Sequence, residues 1–181
     1  MKRYLLSLLG AGLILTACQP EAPGPFDISQ GRVGKLLREH TFSQLDSIYA
    51  TDSLVRDTTR LKLGLDGKVE VYEKGGKHLL TLSPAGDSLG RIGNIHIRDA
   101  RYITDKGISL NSTFGEVKAQ YEVRKVITSL NNILVLPKGS DAYFTISREE
   151  LPASLRYTSD QVEAVQIPDK ARIKYLMVGW D

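Results

Sequence analysis

Two nine-residue segments constrain the fold of this chain more than any other feature. Thr41-Phe42-Ser43-Gln44-Leu45-Asp46-Ser47-Ile48-Tyr49 aligns with Thr113-Phe114-Gly115-Glu116-Val117-Lys118-Ala119-Gln120-Tyr121. Each opens on threonine and carries Gln44 or Glu116 three positions later, the spacing of a capping box. Phe42, Leu45 and Tyr49 share one helical face, as do Phe114, Val117 and Tyr121. Helices of about two turns do not persist alone in water, so both must lay their aromatic faces on another layer. Each follows a glycine-containing stretch, Gly31-Arg32-Val33-Gly34 in one case and Gly107-Ile108-Ser109-Leu110 in the other. Two readings of the likeness stay open here: an internal duplication, or two unrelated capped amphipathic helices.

The rest of the chain supplies the other layer. Val69–Glu73 and Lys77–Leu82 flank Gly75-Gly76, a hairpin signal. Ile92, Ile95 and Ile97 mark a strand ahead of an Arg98-Asp99 turn. Ile133–Leu136 and Ala142–Ile146 form a pair around Lys138-Gly139-Ser140-Asp141, and Arg172–Val178 alternates and then turns continuously apolar, as a sheet-core strand does. Leu54–Leu63 also reads as strand, its Thr58-Thr59 pair favouring extended backbone. The expected class is α+β: a largely antiparallel, twisted β-sheet with two short helices packed on it, not a doubly wound α/β fold.

The amino terminus is of a different kind. Lys2 and Arg3 precede an apolar run from Leu5 to Leu15, and Leu15-Thr16-Ala17-Cys18 follows. The run is too short for a bilayer core of roughly 30 Å, which needs about 20 residues. The order of charge, apolar run and small residues is that of a secretory signal over 1–17. The small residues before Cys18 resemble the lipobox of bacterial lipoproteins. That resemblance implies cleavage before Cys18, diacylglycerol on its sulfur and a third acyl chain on its amino group. Two or three long chains make a stable anchor at about 0.8 kcal/mol per buried CH₂. Residues 18–30 then form a leash, since QPEAPGPFDISQ holds three of the seven prolines and no apolar periodicity. Residues 31–181 are the single globular domain. Gln19 stands where enteric-type lipoproteins held at the inner membrane carry aspartate, which leans the expectation toward the outer membrane, facing the periplasm.

Composition narrows the chemistry. Cys18 is the one cysteine, so its acylation leaves the exported domain without thiols and excludes disulfides, thiolate nucleophiles and thiolate metal sites. The discarded segment takes Lys2 and Arg3 and no acid with it, leaving a mature chain close to neutral and little support for a nucleic-acid role. No G-x-S-x-G or S-x-x-K pattern is present, and His40, His78 and His96 lack metal-ligand spacing. The carboxylates are scattered, without the paired arrangement of glycoside hydrolases or a calcium loop. No cofactor or metal is expected.

One constellation invites a binding role. Arg98, Arg101 and Lys106, with Tyr102 and Thr104 between them, precede Ser112-Thr113 at the start of the second helix, whose free N–H groups attract anions. A turn folding back would gather them into an anion- or partner-recognition surface. The competing reading has Thr113 capping its own helix and the arginines pairing with Asp99 and Asp105.

The stretch from Arg101 to Val117, RYITDKGISLNSTFGEV, resembles a pattern of uncharacterised envelope lipoproteins, in which a strand precedes T-x-x-G-I-x-x-x-S-T and a short acid-capped helix ending in tyrosine. The resemblance covers about 25 residues, with looser similarity from Gly31 onward, and implies no activity. The glycine, Ser/Thr, short helix and following strand are also similar to units of the SmpA/OmlA outer-membrane assembly lipoproteins and of the β-lactamase inhibitor protein, which bind other proteins. This chain has more strand than the single-unit lipoproteins and lacks the inhibitor's cysteines. The expectation is therefore a non-enzymatic lipoprotein, held to a membrane through Cys18, that engages a protein partner in the envelope. The alternative is a small-ligand binder or an enzyme whose site forms only in three dimensions, around residues such as His96, Arg101 and Tyr102.

Overall fold

The computed structural model describes residues 23–57, 67–86 and 89–180. An eight-stranded antiparallel sheet dominates it. Its strands are β4 (Ser53–Arg56), β5 (Val69–Tyr72), β6 (His78–Pro84), β7 (Ile92–Ile97), β9 (Val123–Thr128), β10 (Asn132–Pro137), β11 (Ala142–Ser147) and β12 (Ile173–Gly179), in the order β4-β5-β6-β7-β12-β11-β10-β9. Beside it lies a small mixed sheet, β3-β2-β1-β8, built from β1 (Asp27–Ser29), β2 (Arg32–Val33), β3 (Leu36–Leu37) and β8 (Ile103–Thr104), with β1 and β8 parallel. The helices are α1 (Leu45–Ile48), entered through a 3₁₀ turn at Phe42–Gln44, and α2 (Phe114–Gln120). The class is the expected α+β.

The strand periodicity places one apolar face inward. Leu80, Leu82, Ile95, Ile97, Ile133, Val135, Phe144, Ile146, Leu176 and Val178 are all buried. Against them pack Leu45, Tyr49, Phe114, Val117 and Tyr121 of the two helical segments, Ile28, Val33 and Leu36 of the small sheet, and Leu151, Val162 and Ile167 of the irregular segment before β12. Both capping boxes form: Thr41 N–H donates to Gln44 Oε1 at 2.9 Å, and Thr113 N–H donates to Glu116 Oε2 at 2.6 Å.

The two halves are related by a local dyad. Phe42 N–H donates to Gly90 O at 2.9 Å, and Phe114 N–H donates to Ala171 O at 2.8 Å. Thr41 bridges Arg91 just before β7, and Thr113 bridges Arg172 just before β12. Leu37 N–H donates to His40 Nδ1, and Ser109 N–H to Ser112 Oγ. Matching Arg91 to Arg172 matches Ile95, His96 and Ile97 to Leu176, Met177 and Val178. The central strand pair has the register such a dyad demands: Ile97 faces Leu176, Ile95 faces Val178, and His96 faces Met177. The likeness of the two helical segments thus reflects an internal structural repeat.

One feature departs from the sequence expectations. Asp27–Ser29, read as leash, is strand: Ile28 is buried and pairs with Thr104, so the ordered domain starts before Gly31. The chain turns back sharply at Gly34, where φ is +55° and an added Cβ would lie 2.4 Å from Pro25 O. Of the Leu54–Leu63 strand, β4 holds the first part, and residues 58–66 lie outside the described residues.

Candidate functional site

The eight-stranded sheet has a second face, and it is chemically unlike the first. Across its middle, Glu70, Thr81, His96, Met177 and Tyr143 stand in register on five adjacent strands. Leu134, Thr145 and Tyr175 form a neighbouring row. These positions alternate with the buried inner ones, so the period of two that makes the core also makes this surface. Glu70, His96, Met177, Tyr143, Leu134 and Tyr175 are half-exposed, and only the two small threonines are buried among their neighbours.

Side-chain contacts hold this outer face in shape. The His78 ring stacks on Tyr72 at 4.5 Å, and its Nε2 lies 3.2 Å from Thr81 Oγ1. His96 meets Tyr175 edge to face at 4.9 Å. Asn94 Nδ2 donates to the Tyr143 hydroxyl at 2.6 Å, and Tyr72 donates its own to Glu70 Oε2 at 2.7 Å. A shallow hollow of about 220 Å³ opens at one end, between Arg124, Leu136, Tyr143 and Gly179. Fixed aromatic and amide groups of this kind bind with little loss of side-chain freedom.

The face is also cationic. Lys125 pairs in register with Leu136, and a bulge lets Lys174 reach Asn132 Oδ1 at 3.3 Å while lying over the Tyr175 ring. Arg98 donates to Thr81 Oγ1 from the end of β7. Burial, followed by the charges of Arg98, His78 and Lys68, lowers the pKa of His96 to about 4, so it is neutral at physiological pH. In the central row the one carboxylate, Glu70, accepts a bond from Tyr72.

The residues singled out in the sequence do not converge on the start of α2. Arg98 belongs to the outer face. Arg101 donates through Nε and Nη2 to Asp99, at 2.9 and 2.6 Å, and by two bonds to Glu73. Tyr102 is buried against Phe26. Thr104 Oγ1 accepts the Ile108 N–H, closing a turn that sends Lys106 to the far end of α2, where it donates to Gln120 O and lies over Tyr121. Ser112 accepts from Ser109, and Thr113 caps α2. Cys18 lies outside the described residues. The surface missed from sequence is the outer face, whose residues come from strands far apart in the chain; the alternation in each strand was its only signal.

No family model and no curated protein matches the chain. Among solved structures it is similar to the uncharacterized protein YfeY from Escherichia coli, with a TM-score of 0.54 and 14% identity over 84% of this chain and 99% of that one. At that identity the likeness shows a shared fold.

Proposed function

We propose that the chain is a lipid-anchored envelope protein, acylated on Cys18, whose outer sheet face docks an acidic surface of a protein partner. The observation that carries this reading is the outer face itself: half-exposed His96, Tyr143, Tyr175 and Met177 bordered by Lys125, Lys174 and Arg98. Aromatic residues, Met and Arg are the side chains enriched where proteins meet. A cationic rim draws in an acidic partner and sets its orientation. The leash joins the fold at Pro25 and Phe26, which pack with Tyr102 on the helix-bearing side. That entry point lies on the side of the sheet opposite the outer face. The role is one of binding rather than catalysis, because the sequence supplies no nucleophile and base in a recognisable arrangement. The periplasmic side of the outer membrane is the compartment the leader and Gln19 favour.

Photo-crosslinking residues placed at Tyr143 and Tyr175 in intact cells, with Ala119 on α2 as control, test the docking face. Adducts to one protein from the two sheet positions and none from the helix are expected. Lys125→Glu with Lys174→Glu should reduce those adducts several-fold. Equal labelling from all three positions, or adducts to lipid alone, would overturn the docking reading. Radiolabelled palmitate should enter the wild-type chain and not Cys18→Ser; the same labelling of both would remove the anchor.

A further inference from the structure

The fold begins closer to Cys18 than the run of prolines suggests. Pro23 is the first described residue, and the chain is already packed at Phe26, edge to face with Tyr102. The peptide steps from Cys18 to Pro23 reach at most roughly 18 Å. With Cys18 acylated, the surface around Pro23 stays within that distance of the bilayer whatever the tilt of the domain.

The contacts of Phe26 show which surface this is. Pro25 and Phe26 wall a hollow together with Thr51 and Asp52, just before β4, and Glu73, just after β5. The chain therefore enters at the end of the sheet where the β5–β6 hairpin turns. Arg101 ties entry and hairpin together: its guanidinium lies 4.2 Å from the Phe26 ring centre and donates two bonds to Glu73. Ile103 N–H donates to Phe26 O at 3.0 Å, and Ile103 stands in register with Asp27. Successive strand residues point to opposite sides, and Thr104 is buried, so Ile103 faces outward, 41% exposed.

The carboxylates of this region are already engaged. Asp52 pairs with Lys35, Asp99 with Lys77 and Arg101, and Glu73 with Arg101, while Asp27 accepts the Gly24 N–H. Lys74, exposed at the hairpin tip, has no hydrogen-bond or ion-pair partner among the described residues. An outward branched aliphatic, the exposed Pro23 and Pro25 and an unpaired ammonium thus surround the point where the leash begins. Apolar side chains of this kind enter the headgroup boundary, and a lysine beside them meets anionic headgroups.

We infer that this end of the domain, Ile103 with the Lys74–Lys77 hairpin tip, rests on an anionic phospholipid surface. The inference rests on the acylation of Cys18 in the proposed function. It leaves the outer sheet face, on the other side of the sheet, uncovered for a partner that is itself close to the membrane.

The test uses the processed chain from Cys18 onward, which keeps every described residue. Its single thiol is coupled to a maleimide phospholipid in vesicles of phosphatidylethanolamine and phosphatidylglycerol with brominated acyl chains, which quench tryptophan on contact. Tryptophan is introduced at Ile103 or, as control, at Gly86, beyond the other end of β6, where an added Cβ meets nothing within 4 Å. Buried Trp180 supplies a constant background. Ile103→Trp should lose about half or more of its added emission, as a side chain seated at the headgroup boundary does, and Gly86→Trp none. Adding Lys74→Glu to Ile103→Trp, or replacing the lipids by brominated phosphatidylcholine, should reduce the quenching several-fold. No quenching at position 103, equal quenching at 103 and 86, or quenching indifferent to Lys74→Glu would each overturn the inference. The coupling supplies the anchor, so none of these results depends on whether cells acylate Cys18, which palmitate labelling decides by itself.

Discussion

His96 and Met177 face one another across the central strand pair, at the point where the local dyad crosses the sheet. They occupy matching positions in the two halves, yet one is a titratable ring and the other a thioether. On the inner side of the same ladder the matching residues are all branched aliphatics, Ile95 and Ile97 against Leu176 and Val178. The core has kept the symmetry and the outer face has lost it. A repeat fixes packing through volume and shape, and Ile, Leu and Val differ by at most one methylene. The outer face is free to acquire side chains suited to one asymmetric occupant.

The junction between the halves should be the mechanical centre of the fold. Ile97 and Leu176 are 1% and 0% exposed and pair directly across it. Ile97→Ala and Leu176→Ala should each cost about 2–5 kcal/mol through lost burial and the cavity left behind. The double variant should cost less than the sum, because the two share one cavity. Urea unfolding followed by the fluorescence of Trp180, the single tryptophan, checks both statements. Trp180 is buried and its backbone N–H donates to Gly93 O, so it reports on the junction.

The two caps should differ in strength. Thr113 Oγ1 accepts the Glu116 N–H at 3.4 Å while Glu116 bonds back to the Thr113 N–H. The Thr41 hydroxyl instead meets the Ser43 and Gln44 side chains. Thr113→Ala should therefore lower stability by about 1 kcal/mol, and Thr41→Ala by a few tenths. Paired thermal melts measure the difference, and equal losses would show that the Thr41 hydroxyl contributes as much as that of Thr113.

Much of this architecture is legible in the chain because it is local. Gly75 and Gly76, both at positive φ, mark the β5–β6 hairpin, and the alternation in Arg172–Val178 marks β12. Asp27–Ser29 was illegible because it is a three-residue strand after three prolines, held by a tight pairing with Val33 and by remote Thr104, not by its own propensity. The candidate arginines failed to gather for a related reason. Neighbours in sequence at a strand end alternate sides, so Arg98 joins the outer face while Arg101 turns to Asp99 and Glu73. The competing pairing of Arg101 with Asp99 was readable; the burial of Tyr102 against Phe26 and the part played by Glu73, from another hairpin, were not.

Asp99 should matter more to folding than its place in a turn suggests. Its side chain is 1% exposed and accepts from the Arg101 backbone N–H and guanidinium, with Lys77 Nζ at 3.2 Å. Burial pushes its pKa up, and the bonds from Arg101 and Lys77 more than offset this, holding it at about 2. Asp99→Asn should cost on the order of 2 kcal/mol, less than a fully buried pair because the Arg101 side chain is 38% exposed and can rehydrate. Glu73→Gln, at the exposed end of the same guanidinium, should cost clearly less than Asp99→Asn. Denaturant titrations of the two variants rank them, and a larger loss for Glu73→Gln would place the anchor of Arg101 on the hairpin tip instead.

His96 should give the protein a recognisable acid response. Its pKa is lowered to about 4 by burial first and then by Arg98, His78 and Lys68. Around it on the outer face stand Tyr175, Thr81 and Met177, and the carboxylate in its row is Glu70, one strand beyond Thr81. In the unfolded chain the imidazole takes its proton near pH 6.5; in the fold it does so only near pH 4. The unfolded state therefore binds more protons through that window, and stability rises with pH across it. The contribution is fully present above pH 6.5 and is lost as the pH falls through 6.5 toward 4. Urea midpoints from pH 7.5 to 4.5 should decline in the wild type and decline less in His96→Gln, with the two curves parallel above pH 7. A His96 ring titrating near 6.5 by NMR would show that this position is solvated, and the half-buried row from Thr81 to Tyr143 would then be open to water.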